Sequence, residues 1–349
     1  MKSVSRLLSR WIAPSIAAWT AIFAVAPNAG ATPVAPGFQV TFLQTPGTAT
    51  GDVISVGETV FAGVGDFGVG TEAVVRIDAS GTTVLAEGFN SLGGFAYDAV
   101  NDRLIVGDNG GSLPGALTGG TIYAIANPFG ASGTPAAALD LEILPSGSVP
   151  GYFDVVVDPT DPTGDTLFLS DASQLFPPDG RVLQVSVLSG SVEVVQGGLS
   201  FAAGLAADGD TLFVGDSLLD FSGQLSEVGL DDPDAPLSLV APLPDGVFDV
   251  EIGPDGSLLA TSGGSLVRIE PDGSLTTLAS GFGFATGLYV GGSSIYVIDG
   301  FPSQEQKDRI WILSAIPEPG SALLFGSGLL VIGRRLHSRG RASDYSSGR

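Results

Sequence analysis

The chain has 349 residues, 44% of them hydrophobic, with 51 Gly, 23 Pro, no Cys, a single His and a formal charge of −23. Without Cys there is no disulfide framework and no thiol nucleophile. With the only His at position 337, the bulk of the chain has no Ser-His-Asp triad, no imidazole base and no histidine-held zinc or iron. Between Thr32 and Ser314 six basic residues stand against 35 acidic ones, a balance that repels phosphate backbones and excludes nucleic acid as a partner.

In chain order, residues 1–31 read as an export signal. Lys2, Arg6 and Arg10 form a positive start, Trp11 to Val25 is mostly apolar, and Ala29-Gly30-Ala31 supplies a small-x-small cleavage pattern. A retained N-terminal anchor is the competing reading.

From there the chain repeats itself. GDVISVGETVFAGVGD (Gly51–Asp66) is a divergent first copy. GGFAYDAVNDRLIVGDNG (Gly93–Gly110), YFDVVVDPTDPTGDTLFLSDAS (Tyr152–Ser173), AAGLAADGDTLFVGDS (Ala202–Ser217), VFDVEIGPDGSLLATSGG (Val247–Gly264) and ATGLYVGGSSIYVIDG (Ala285–Gly300) follow. Each copy has a short apolar strand, a turn rich in Asp, Gly or Asn, and a second strand. Alternating third strands come next, such as TIYAIA (Thr121–Ala126) and RVLQVSV (Arg181–Val187), and fourth strands such as SLTTLASGF. Six four-strand units predict an all-β, six-bladed β-propeller over residues 38–314. The last unit lacks a fourth strand, and Gln39–Leu43 precedes the first. That strand is expected to complete the last blade and close the ring. An irregular sandwich or an open repeat array is the alternative.

The glycine-containing first strands, the Asp-Gly turns and the LFVGD- and IYVID-like second strands resemble the NHL and SMP-30/gluconolactonase-like group of six-bladed propellers. The recurring acids are the candidate chemistry. Asp66, Asp108, Asp171, Asp216 and Asp299 end second strands, with Ser262 in the fifth copy, while Asp154 and Asp249 share the tripeptide FDV in first strands. Inner strands line a propeller's channel, so oxygen ligands there suit Ca²⁺. In SMP-30-like enzymes, as the resemblance implies, channel carboxylates and an Asn hold a divalent cation that polarises a lactone. The nearest candidates are Asp154, Asp249, Asp108, Asn109, Asp171, Asp216 and Asp299. The competing reading is that Asp after a strand ties down backbone N–H groups and starts turns, with no ligand. The loops carrying Phe129, Phe176 and Phe221 offer a rim or simply pack.

The chain ends with IPEPGSALLFGSGLLVIGRR, residues 316–335, and a basic tail at 336–349. Its apolar run falls short of the about 17–25 residues of a spanning helix. Pro317-Glu318-Pro319, a short hydrophobic helix and Arg334-Arg335, in that order, closely resemble the PEP-CTERM sorting signal. The resemblance implies transient membrane insertion, processing by an exosortase-type enzyme of a Gram-negative bacterium, and delivery to the envelope, the surface or an exopolysaccharide matrix. The expected function is that of an exported binding or structural module, meeting exopolysaccharide or a surface protein, with no catalytic residue assigned. The alternative is a divalent-cation-dependent SMP-30/gluconolactonase-like hydrolase.

Overall fold

The computed structural model describes residues 34–66, 70–109, 120–130, 136–139, 151–172, 180–217, 222–230, 236–300 and 306–316. The expected export signal, the expected sorting residues Pro317, Glu318, Pro319, Arg334 and Arg335 with the expected short C-terminal helix, and the basic tail all lie outside them. The described residues form six four-stranded antiparallel sheets and no helix. The fold is the six-bladed propeller that the repeats predict.

The innermost strands of blades 1 to 6 are Ala49–Val56, Leu92–Asp98, Tyr152–Val157, Ala202–Asp208, Asp249–Ile252 and Ala285–Gly291. Outward from each, the strands follow in chain order in blades 1 to 5, while the outermost strand of blade 6 comes from the start of the chain. Second strands are buried almost end to end, as in Thr59–Val64 and Thr166–Asp171, because each has a neighbouring blade on both faces. One such interface joins Phe61 and Val74 of blade 1 to Phe95, Leu104 and Val106 of blade 2. Outer strands such as Val192–Leu199 are largely exposed, which is why their sequences carry Glu, Gln and Gly.

Hairpin turns are fixed by side chains at their own ends. In the two Pro-Asp-Gly-Ser turns, Asp255 accepts the Ser257 amide at 3.1 Å and Asp272 the Ser274 amide at 3.0 Å. Gly256 and Gly273 take φ of 78° and 79°, a left-handed conformation that a side chain disfavours.

The ring closes on its sixth blade. Phe38–Gln44, from the start of the chain, pairs antiparallel with Arg309–Ala315 from its end. Phe42 sits opposite Trp311, which is 1% exposed and packs edge-on against Phe42 and Phe282, each ring 6.3 Å away. The Arg309 guanidinium lies 4.4 Å over the Phe42 ring. The Ile316 amide donates to the Gly37 carbonyl at 2.7 Å, so the ring is complete immediately before Pro317.

Candidate functional site

At one level of the channel the innermost strands alternate Asp and Gly around the ring: Asp52, Gly94, Asp154, Gly204, Asp249, Gly287. In five of the six blades the pairing with the second strand is interrupted here by a bulge or irregularity. A bulge leaves amide groups without ladder partners, and the carboxylates accept them. Asp52 accepts its own neighbour Val53 at 2.7 Å and Phe95 of the next blade at 2.9 Å. Asp154 accepts Val155 at 2.7 Å and Leu205 at 2.6 Å. Asp249 accepts Val250 at 2.7 Å and Leu288 at 2.5 Å.

The glycines make the approach possible. A Cβ at Gly94 would lie 2.0 Å from Asp154 Oδ1, one at Gly204 2.5 Å from the Asp249 Cα, and one at Gly287 2.9 Å from the Asp52 Cα. The channel is therefore built as one two-blade unit used three times, with Asp on the odd blades and Gly on the even ones.

The three carboxylates converge. Burial and then the charge of Asp52 raise Asp249, so these neighbouring carboxylates favour a proton or a cation between them. Burial pushes all three carboxyls upward, Asp154 to about 7 and the other two well above the ordinary range. The charge of Asp154 adds to the rise at both Asp52 and Asp249. Deeper in the channel, burial and the charges of Asp52 and Asp154 also raise Glu251. Burial first, then Glu251, pushes the Tyr289 hydroxyl up to about 12.

These carboxylates line a cavity of about 150 Å³ together with Thr50, Asn109, Phe153, Phe248, Phe284 and Thr286. Asn109 Oδ1 is buried there without a hydrogen-bond partner. Beside the cavity, fully buried Glu72 accepts Thr50 Oγ1 at 3.1 Å and the Leu92 amide, and burial pushes its carboxyl to about 7.

Of the acids singled out in the sequence, Asp154, Asp249 and Asn109 line this cavity. The acids ending second strands hold the loop that enters their own blade. Asp108 accepts the amides of Asn90 and Ser91, Asp171 that of Gly151, Asp216 those of Ser200 and Phe201, and Asp299 those of Gly283 and Phe284. Asp171 also receives Arg181 at 2.6 Å. Asp66 is exposed. Asp52 and Glu72 were not singled out. For Asp52 the signal was present, since GDV in the first copy matches FDV in the third and fifth.

The donor set suits a hard cation: three buried carboxylates of like charge, with an unpartnered amide oxygen left at the cavity for a ligand. Each carboxylate keeps lone pairs beyond its two backbone bonds. Among the described residues no three acidic side chains form a ready-made cage. An ion held here by Asp52, Asp154 and Asp249 would leave part of its coordination to water or ligand.

No protein-family model matches the chain, and no curated protein matches it in sequence. Solved structures match it in fold. A gluconolactonase from Xanthomonas campestris superimposes with a TM-score of 0.60 at 17% identity, over 81% of this chain and 91% of that one. A putative gluconolactonase gives 0.58 at 14%, over 81% and 93%. A calcium-binding protein, regucalcin, from Agrobacterium tumefaciens gives 0.55 at 14%, over 78% and 91%. At these identities the likeness is one of fold. These three neighbours carry names of the alternative class, two lactone hydrolases and a calcium binder, so the expectation of a binding or structural module is corrected in favour of that alternative.

Proposed function

We propose that this propeller is a divalent-cation-dependent hydrolase of cyclic esters, of SMP-30/gluconolactonase type, with its site at the Asp52–Asp154–Asp249 level of the channel. The convergence of three buried carboxylates on one side of a ligand-sized cavity carries this reading. Such a cluster is costly unless it is protonated or meets a cation. When bound, a divalent cation would neutralise the cluster and polarise the ester carbonyl.

The chain's own residues do the rest. Asp154 accepts a proton at a carboxylate oxygen from the water that adds to the carbonyl carbon. It returns that proton to the ring oxygen as the acyl C–O bond breaks, so that water and lactone give one hydroxy acid. The backbone amides of Val155 and Leu205 hold this carboxylate in place, and the phenyl groups of Phe153, Phe248 and Phe284 give the cavity apolar walls.

Metal analysis of the purified protein with a lactone-hydrolysis assay tests this. We expect a bound divalent ion, turnover abolished by chelation, and a loss of about 10²–10⁴-fold in kcat for Asp154→Asn. A metal-free protein that hydrolyses no lactone would overturn the assignment.

We propose further that the chain is exported and addressed through Pro317-Glu318-Pro319 and Arg334-Arg335 to an exosortase-type enzyme, and so to the envelope or exopolysaccharide matrix of a Gram-negative bacterium. Ring closure at Ile316 supports this, because removal of everything after it costs the propeller no strand. Mass spectrometry of the secreted form should find a C-terminus near Pro317; a mature protein still ending at Arg349 would contradict processing.

A further inference from the structure

The threefold pattern of the channel is broken at its mouth. In blades 3 and 4, Phe153 precedes the aspartate and Phe201 lies three residues before the glycine; their rings meet edge-on at 5.0 Å. In blades 5 and 6, Phe248 and Phe284 hold the same two positions, with ring centroids 4.2 Å apart. In blades 1 and 2 these positions are Gly51 and Ser91. Gly51 sits at φ +63°, and a Cβ there would fall 2.8 Å from Leu92 Cβ and 2.9 Å from the Leu92 carbonyl oxygen, so no phenyl group fits. On that open side stands Asn109, with its buried, unpartnered Oδ1.

The cavity is thus lopsided, with phenyl walls on two units and a single amide acceptor on the third. Its threonine hydroxyls are engaged, and in the cation-loaded protein the spare lone pairs of the aspartates would face the ion. Thr50 donates to Glu72, Thr286 points its hydroxyl to the Gly51 carbonyl at 3.5 Å, and the aspartate oxygens accept amides. Beyond the ion and Asn109, a polyhydroxylated ring would meet phenyl walls, so most of its hydroxyls would be buried without a partner, which disfavours binding more than a missing contact does.

We infer that the substrate is a lactone bearing an apolar substituent, seated against Phe153, Phe248 and Phe284, with one hydrogen-bond donor directed to Asn109 Oδ1, and not a sugar lactone. This rests on the hydrolase reading above but is separable from it. Apolar area withdrawn from water favours such a ligand in proportion to its size, and an oriented donor fixes which face of the carbonyl meets Asp154.

The test compares δ-decanolactone with glucono-δ-lactone as substrates of the full cation-loaded protein. The hydrolysis-resistant δ-decanolactam serves as the probe for calorimetric binding. We expect kcat/KM for δ-decanolactone to exceed that for gluconolactone by at least about tenfold, the worth of burying two further methylenes. The lactam should bind with a negative heat-capacity change. Phe284→Ala should weaken lactam binding about tenfold and raise KM more than it lowers kcat. Phe248→Leu, a milder change, guards against misfolding and should give a smaller loss in the same direction. Faster turnover of gluconolactone, or lactam binding indifferent to both substitutions, would overturn the inference. Lactam binding that depends on the phenyl groups, with both lactones inert, would support the apolar site and overturn the hydrolase instead.

Discussion

Asp52, Asp154 and Asp249 each do two things with one carboxylate. Their oxygens accept the backbone amides exposed at the bulges, joining blade to blade, and the same groups place negative charge at the channel axis. These roles conflict at neutral pH, because an amide-accepting carboxylate favours ionisation while burial and its neighbours oppose it. For Asp154 burial wins, and its carboxyl rises to about 7 in the folded chain. The folded state therefore holds a proton that the unfolded chain has released, and the stabilisation is lost as pH climbs from about 4 through 7. Glu72, also raised to about 7 by burial, contributes in the same sense.

At the acid end, burial opposes ionisation of Asp98, but Asn101 and Arg103 still hold its carboxyl below the usual range. The stability that pair contributes is lost as pH falls through the lowered value. Thermal unfolding should thus show a maximum between these limits, with Tm lower at pH 8 than at pH 5.5. Added Ca²⁺ should recover the difference at pH 8, and Asp154→Asn should shrink it. A Tm flat from pH 5.5 to 8 and indifferent to Ca²⁺ would contradict the burial of these charges.

At the scale of the strand, the alternation of Asp and Gly is a spacing device. Gly204 comes so close to its neighbour that an added Cβ would meet the Cα, carbonyl carbon and following amide of Asp249–Val250, all backbone, at 2.5–2.6 Å. No side-chain rotation relieves that. Gly204→Ala should lower the midpoint of urea unfolding by the equivalent of about 1–3 kcal/mol or more, since it must push two innermost strands apart. An unchanged midpoint would mean that the inner strands are not held this closely. Strand character itself was legible in the sequence, because period-two alternation and Asp-Gly or Ser-Gly turns are local features. TIYAIA forms its strand over Thr121–Ala126 as the alternation predicts. The bulges were not legible, because they arise where strands meet rather than within either one.

For the whole molecule, closure decides stability. The strand Phe38–Gln44 from one end of the chain pairs with Arg309–Ala315 from the other, so an otherwise exposed sheet edge is covered and the channel acquires a fixed bore. Trp311 seals this seam between Phe42 and Phe282. Trp311→Ala should cost about 3–5 kcal/mol, read from urea unfolding. A loss well below that would place the closing contact elsewhere.

The sequence by itself determined the number of blades, their strands, the closing strand, the absence of thiols and the lack of any imidazole between residues 38 and 314. Each of these follows from composition, from periodicity along the chain, or from likeness between its segments. Only the tertiary structure decided which acids matter together. Asp52, Asp154 and Asp249 lie roughly a hundred residues apart and meet because the ring brings one residue of every second blade to the axis. Asp108, Asp171, Asp216 and Asp299 look equally regular in sequence, yet they spend their oxygens on the loops of their own blades. Asp52 escaped notice because Gly51 replaces the phenylalanine that marks its two counterparts, and the same replacement opens the side of the cavity where Asn109 stands. Repeat patterns report what each blade needs for itself; a site on the axis belongs to none of them and is set by how the blades face one another.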